Sequence, residues 1–497
     1  MGVWLLLLGC SGSDGTTDAT TDLPVPLDTT EPTDSDSAPE TGTPPPAYTL
    51  PALLSGARIK YLGEGEGDWA GRSAGPLGDV DGDGVPELIV TGLWNDEAGD
   101  DAGCIYVVTS GGQGEVDLGS ARTQLLGEAE HDAAGVSATG AGDVDGDGIL
   151  DIVIGADGHD EDFANAGAVY LVSSEHVGTL ALSEAAFAKR TGELNGDLLG
   201  VMVDGGLDMN GDGLTDVIFG ARYHDETGED AGAAYAEFNP EPGEKTVGGA
   251  DLTILGDEAG DWLGLSLRLH KDIDGDGLAE LVVGAQFEST GGVGAGAVYL
   301  FRDAPTGTLF AMDADSRFIG EAAGDQAGRV AGGGDVDGDG LPDIVVAAQS
   351  NDEGDVDAGA AYVVSDPQPG DLSLAEASAK FVGDGEGAAA GFRVDVAPDV
   401  DMDGTDDIVV GAYLHDGGGE GAGAAYLLLG PIVAGRPLSE ADRVWQGLLP
   451  GDQAGCHVGG VGDLNADGHG DLLVSSCIAD DSKPGAGVVY LIDGAMP

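Results

Sequence analysis

Seven stretches of this chain carry oxygen side chains in a nine-residue pattern, D-x-[DN]-x-D-G-x-x-[DE], at intervals of 63 to 65 residues. In the first, positions 1, 3, 5, 7 and 9 are Asp79, Asp81, Asp83, Val85 and Glu87. The next three read Asp143, Asp145, Asp147, Ile149 and Asp151; Asp208, Asn210, Asp212, Leu214 and Asp216; and Asp272, Asp274, Asp276, Leu278 and Glu280. The last three read Asp335, Asp337, Asp339, Leu341 and Asp343; Asp399, Asp401, Asp403, Thr405 and Asp407; and Asp463, Asn465, Asp467, His469 and Asp471. Side-chain oxygens at positions 1, 3, 5 and 9, with Gly at position 6 for a sharp turn, suit a hard cation such as Ca²⁺. Position 7 would lend only its backbone carbonyl, which leaves its side chain free to vary. The pattern predicts up to seven calcium ions with a structural role.

Two other loop architectures share part of this spelling. A helix–loop–helix calcium site needs a bidentate Glu at position 12, where this chain has Val90, Ile154, Phe219, Val283, Val346, Val410 and Val474. Nonapeptide β-helix repeats recur every nine residues and do not wait 64. A plain Asp/Gly turn without metal is a third reading, but it leaves four carboxylates crowded and mutually repelling.

The segments around each loop read as short strands. In the second repeat these are Arg122–Leu126, Val136–Gly142, Asp151–Ala156 and Gly167–Val172, with a polar loop over Asp157–Ala166. The last strand recurs as CIYVV, AVYLV, AAYAE, AVYLF, AAYVV, AAYLL and VVYLI. A Gly closes the first segment of every repeat: Gly63, Gly127, Gly192, Gly256, Gly320, Gly383 and Gly447. Four strands per unit, repeated seven times, predict an all-β fold: a seven-bladed β-propeller of four-stranded blades. Residues 58–62 form a first segment on their own, and the last repeat ends on VVYLI. The N-terminal strand is therefore expected to pair beside residues 488–492 and close the last blade.

The totals narrow the partners. A net charge of −73 disfavours nucleic acid, whose phosphates would be repelled. The loops hold 26 carboxylates at positions 1, 3, 5 and 9, and seven divalent ions would offset 14 charges, leaving a large acidic surplus. Residues 11–56 are rich in Thr, Asp, Ser and Pro, with eight acids and no base. Such a segment buries too little apolar surface to order itself and reads as a disordered stalk. Leu7-Leu8-Gly9-Cys10 resembles the lipobox of bacterial lipoproteins, which implies lipidation at Cys10, export, and a site on the bacterial outer membrane or cell surface. Secretion without an anchor is the alternative. The expected boundaries are thus a signal segment over 1–10, a linker over 11–56 and the propeller over 57–497. Cys456 and Cys477 flank the last acidic loop symmetrically, a spacing that allows a disulfide across a hairpin. Cys104 is left as a small buried residue.

The acidic loop, the Gly-Ala that ends the following strand (Gly155-Ala156, Gly220-Ala221, Gly284-Ala285, Gly411-Ala412) and the sevenfold count together resemble the FG-GAP repeats of integrin alpha-subunit propellers. The resemblance runs from residue 57 to 497, although Leu-Gly or Ala-Gly mostly stands in place of Phe-Gly. It implies calcium on one face and ligands on the opposite face. There Asn95-Asp96-Glu97, His159-Asp160-Glu161, His224-Asp225-Glu226, Asn351-Asp352-Glu353 and His415-Asp416 recur, read as hydrogen-bonded, solvated loops. Trp69 and Trp262 on that face are read as packing residues that could also stack on a sugar. The expected role is a non-catalytic, monomeric surface protein binding an extracellular protein or glycan. Its rivals are a propeller scaffold for a carbohydrate-active hydrolase or lyase, and a structural spacer.

Overall fold

A computed structural model describes residues 52–494, apart from Asp162 and Asp303. Seven sheets stand around one axis, each inner strand packed between the inner strands of its two neighbours, and the first packed against the last. This is a seven-bladed β-propeller. Blade I consists of Ala70–Gly78, Glu87–Gly92, Cys104–Thr109 and Thr123–Leu126, running antiparallel from the axis outward. Blades II to VII have inner strands Ala134–Gly142, Leu199–Leu207, Leu263–His270, Ala327–Gly334, Arg393–Ala397 and Ala454–Gly462.

The second strands explain why a short, nearly continuous apolar run is a strand here. Asp151–Ala156 and its six equivalents are buried at every residue, because neighbouring blades cover both faces of the sheet. The third strands carry one buried Tyr each, from Tyr106 to Tyr490. These aromatic rings fill the wedge between blades as it widens from the axis. Among the described residues, helix is confined to Leu182–Ala185 and several 3-10 turns, and no helix is long and apolar enough to cross a membrane.

The repeat unit is offset from the blade. The first segment of each repeat forms the fourth strand of the preceding blade, as Thr123–Leu126 does against Cys104–Thr109. The ring closes on the same rule: Ile59–Leu62 pairs antiparallel with Val488–Ile492, with Ile59 opposite Leu491 and Leu62 opposite Val488.

A fifth strand, not visible in the sequence pattern, runs parallel along the outer edge of every sheet. Gly178–Ala181 leaves blade II to lie beside Thr123–Leu126 of blade I, and Gly114–Asp117 leaves blade I to lie beside Ile59–Leu62. A tight turn follows each, anchored by one buried apolar side chain such as Leu118, Leu182, Leu374 or Leu438. These strands are mostly exposed, so they lack the apolar alternation that marks a half-buried strand. Ala52–Leu53 supplies this fifth strand to blade VI, paired in parallel with Trp445–Gln446. The chain therefore enters the propeller at Ala52, five residues before the expected boundary at 57. The expected signal segment, Cys10 and most of the 11–56 linker lie outside the described residues.

Candidate functional site

The seven acidic loops all join an inner strand to a second strand, so they share one face of the ring. Each is held by its own carboxylates. Asp79 accepts the N–H groups of Gly82 at 2.8 Å and Gly84 at 2.9 Å, Asp81 accepts from Asp83 at 3.2 Å, and Asp83 from Val85 at 2.8 Å. The Asp143, Asp208 and Asp272 loops repeat these bonds. Position 4 also takes a left-handed backbone, with φ of 76° at Gly82 and 82° at Gly338. Met402 and Ala466 occupy that position in the last two loops with φ of 65° and 58°, a conformation that favours glycine.

Oxygens converge completely in the Asp272 loop and in part in three others. One oxygen each from Asp272, Asp274, Asp276 and Glu280 lie within 4.8 Å of one another, as do sets from Asp79, Asp81 and Glu87, from Asp143, Asp145 and Asp151, and from Asp335, Asp337 and Asp339. The position-9 carboxylate lies beneath each loop and accepts the N–H of position 2 in all seven: Glu87 from Val80, Asp151 from Val144, Asp216 from Met209, Glu280 from Ile273, Asp343 from Val336, Asp407 from Val400 and Asp471 from Leu464. In Asp216 the second oxygen, Oδ1, is buried and has no hydrogen-bond partner.

Burial, opposed by that backbone bond and reinforced by the neighbouring loop acids, pushes Asp151, Asp216 and Glu280 up to about 7. Asp407 rises to about 7 through burial and its loop acids, and Glu87 and Asp343 shift the same way. A divalent cation among these oxygens would reverse the shift, because the charged form then gains a partner. The donor set, all hard oxygens with one left unpartnered, fits such an ion.

The Asp463 loop differs. Asn465 removes one charge, and the Arg58 guanidinium stands 3.4 Å from Asp471, a competing cation already in place. Position 7 side chains are less free than expected, since they lean on the preceding loop: Leu214 lies over Gly146, Leu278 over Gly211, and His469 Nδ1 is 2.7 Å from the Val400 carbonyl.

The opposite face shows what the recurrent polar clusters do. Their first residues, Asn95, His159, His224 and Asn351, are buried and not solvated as expected. Asn95 Nδ2 donates to Glu64 at 3.0 Å, Asp68 at 3.2 Å and the Tyr106 hydroxyl at 3.2 Å. Asn351 repeats this with Glu321, Asp325 and Tyr362. The second residue caps its own loop, as Asp96 does by accepting from Asp101 and Asp225 from Asp230. Each cluster is thus tied to polar groups of its own surroundings, Asn95 to Glu64 and Asp68 and His224 to Asp197. Trp262 is packed edge-on between Phe287 at 4.4 Å and Tyr223 at 5.0 Å, whereas Trp69 is 37% exposed and meets Trp94 at 6.1 Å. The sulfurs of Cys456 and Cys477 are bonded across blade VII, and Cys104 is free and buried.

The FG-GAP repeat family matches residues 135–172, 272–301, 327–364 and 390–428, each stretch running from an inner strand or its loop through a third strand. Integrin alpha pat-2 of Caenorhabditis briggsae is 33% identical over 243 residues, covering 44% of this chain and 18% of that protein. The chain is an integrin alpha-like FG-GAP propeller. Integrin alpha-3 of Mus musculus is 29% identical over 161 residues, covering 32% of this chain and 14% of that protein. Integrin alpha-PS2 of Drosophila melanogaster is 30% identical over 156 residues, 29% of this chain and 11% of that protein. The integrin alpha-like propeller thus spans less than a fifth of the length of these relatives. Among solved structures, that of BBS1N in complex with ARL6DN, soaked with mercury, superposes with a TM-score of 0.44 at 8% identity, covering 88% of this chain and 96% of that one.

Proposed function

We propose that this integrin alpha-like propeller is a calcium-stabilised, non-catalytic binding module of the cell surface, serving adhesion or capture of an extracellular protein or glycan. The observation that carries this reading is the convergence of loop oxygens around a buried position-9 carboxylate, with Asp216 Oδ1 left unpartnered. Calcium would be held by the side chains at positions 1, 3, 5 and 9 and the carbonyl at position 7. Extracellular sites often bind calcium with Kd near 10⁻⁴ to 10⁻³ M. At ten times Kd each occupied site adds about 1.4 kcal/mol, so several sites together rival a whole folding stability of about 5–15 kcal/mol.

The absence of catalysis in this reading is supported by the ligand-side polar groups, which are engaged with one another (Asn95 with Glu64 and Asp68, His224 with Asp197) and not gathered into a cleft. Adhesion is suggested by the integrin relatives. A lipid on Cys10 would tether the ring through the Thr/Asp/Pro-rich stretch. The test is a melt of the purified chain with calcium and with chelator, followed by protein and glycan arrays in both states. A melting temperature lower by tens of degrees in chelator, together with array binding lost there, is the expected result. A melt indifferent to chelator would overturn the calcium role, and turnover of an array glycan would overturn the non-catalytic one.

A further inference from the structure

Five of the 18 basic residues in this strongly acidic chain gather on the propeller axis: Arg72, Arg222, Arg268, Arg329 and Arg393. Arg72 and Arg329 are the third residues of the inner strands of blades I and V, and Arg222 follows the second strand of blade III. They enter the axis from three directions at the end of the ring away from the cation loops. Further along the same inner strands the axis widens into a cavity of about 290 Å³, lined by residues from all seven blades and including Arg268 and Arg393.

Three of these arginines lack acceptors, whereas Arg268 donates to the Leu267 carbonyl and Arg393 to the Met202 sulfur. Among the described residues, Arg72, Arg222 and Arg329 make no hydrogen bond to a carboxylate or carbonyl, and Arg72 Nη1, Arg222 Nε, Arg329 Nε and Arg393 Nε are buried without a partner. Arg329 is only 8% exposed, and its guanidinium stacks on Phe392 at 5.3 Å. Burial, then the charges of Arg72 and Arg222, hold Arg329 down at about 9 against the opposing pull of Tyr413. Four acids stand nearby: Asp157 faces Arg72 and Arg222, Asp204 and Asp395 face Arg268, and Asp406 lines the same cavity, where Lys271 adds a sixth cation. They leave the cluster short of counter-charge. Of the five arginines only Arg329 is buried and the others are half-buried, and like charges gathered there without acceptors are unfavourable unless something else completes them. A guanidinium is built to take two oxygens of one carboxylate or sulfate at once.

We infer that Arg72, Arg222 and Arg329 form an oxyanion site on the propeller axis that takes a small dianion such as a dicarboxylate or sulfate. The site lies away from the acidic loops and does not depend on the adhesion reading. A small ligand fits better than an anionic polymer, because the surrounding surface carries most of the −73 charge and would repel a long polyanion.

A competing explanation is that the arginines are held there only by the negative field of their own protein. The two make opposite forecasts. The full chain, kept in calcium at constant ionic strength, is titrated with succinate and with sulfate by calorimetry. A saturable one-site isotherm is expected for the unmodified chain, weakened at least tenfold in the Arg72→Gln/Arg329→Gln double variant and unchanged in Arg317→Gln, whose guanidinium is paired with Asp371 on the surface. Removing mutual repulsion should also leave Arg329→Gln no less stable than the unmodified chain when no dianion is added. No saturable heat, binding retained within twofold in the double variant, or a clear loss of stability in anion-free Arg329→Gln would overturn the site. A measurement needing no variant accompanies these: phenylglyoxal labelling of the unmodified chain, read by mass spectrometry. Succinate should protect Arg72, Arg222 and Arg329 at least fivefold, and labelling unaffected by either anion would likewise overturn the proposal.

Discussion

Ile59 stands opposite Leu491 in an antiparallel ladder that joins the two ends of the described chain. Ile59 and Tyr61 are fully buried, while Lys60 and Leu62 between and after them are partly exposed. Closure therefore rests on two inward side chains and four paired residues. Ile59→Ala should lower the unfolding free energy by about 2–5 kcal/mol, measured by urea denaturation in calcium. Lys60→Ala, which loses only a cation–π contact with Tyr490 and a partly exposed ion pair with Asp481, should stay within about 1 kcal/mol. Equal effects would mean that the pairing adds little to the closure.

His224 Nδ1 lies 3.1 Å from Asp197, and both are buried, with Glu226 and Tyr235 beside them. Burial alone would lower the imidazole pKa, but the Asp197 hydrogen bond and charge, with help from Glu226, raise it. A group bound more tightly to its proton when folded contributes stability in full below its unfolded pKa of about 6.5, and loses it as pH rises through the folded value. His224→Asn substitutes the residue that blades I and V use at the equivalent place, Asn95 and Asn351. Unfolding free energies from pH 5.5 to 8.5 should fall more steeply for the unmodified chain than for this variant. Parallel curves would exclude the protonated pair.

What could be read from residue types follows from what each feature is made of. The acidic loops and the buried second strands were legible because each demands a particular chemistry at consecutive positions: oxygens around one point, or apolar groups on both faces. Glu87 and Asp471 could thus be placed in loops 384 residues apart by the same rule. Gly114–Asp117 and its equivalents escaped notice because an exposed edge strand imposes no alternation; the recurring apolar residue four positions after the Gly, as in Leu118 and Leu182, was the available signal. The axial arginines were invisible for another reason. Arg72 and Arg329 share a position in repeats far apart in the chain, Arg222 stands at a different one, and the three come together only when the ring closes.

Gly127 illustrates a repeated residue whose cause lies in packing. A Cβ there would sit 2.1 Å from the Ala102 carbonyl oxygen, and the same clash recurs at Gly192 with Ala166 and at Gly383 with Ala358. Gly127→Ala should therefore force the backbone apart and lower stability by about 3 kcal/mol. Gly307→Ala is the comparison, since Gly307 has φ of 84° with open space around it. It should lose only the left-handed backbone penalty of about 1–2 kcal/mol. Thermal or urea unfolding of the two variants gives the ranking, and a reversed order would refute the close-approach explanation.

Asp216 offers the sharpest test of the loops, because the sign of one substitution depends on the medium. In Asp216→Asn the oxygen that accepts the Met209 N–H is retained, while the charge is removed. Without a cation that charge is a burden: burial comes first, and Asp212 and Asp208 add to it. The variant should then melt at the same temperature as the unmodified chain or higher when chelator is present at pH 8. With millimolar calcium the same charge becomes a ligand, and its loss should weaken that site and lower the melting temperature. The loop already has Asn210 in place of an acid, so little ligand charge remains to compensate. Asn210→Asp should act in the opposite sense, raising the melting temperature in calcium and lowering it in chelator. Curves for either variant that keep one sign in both media would show that the loop carboxylates act without a cation.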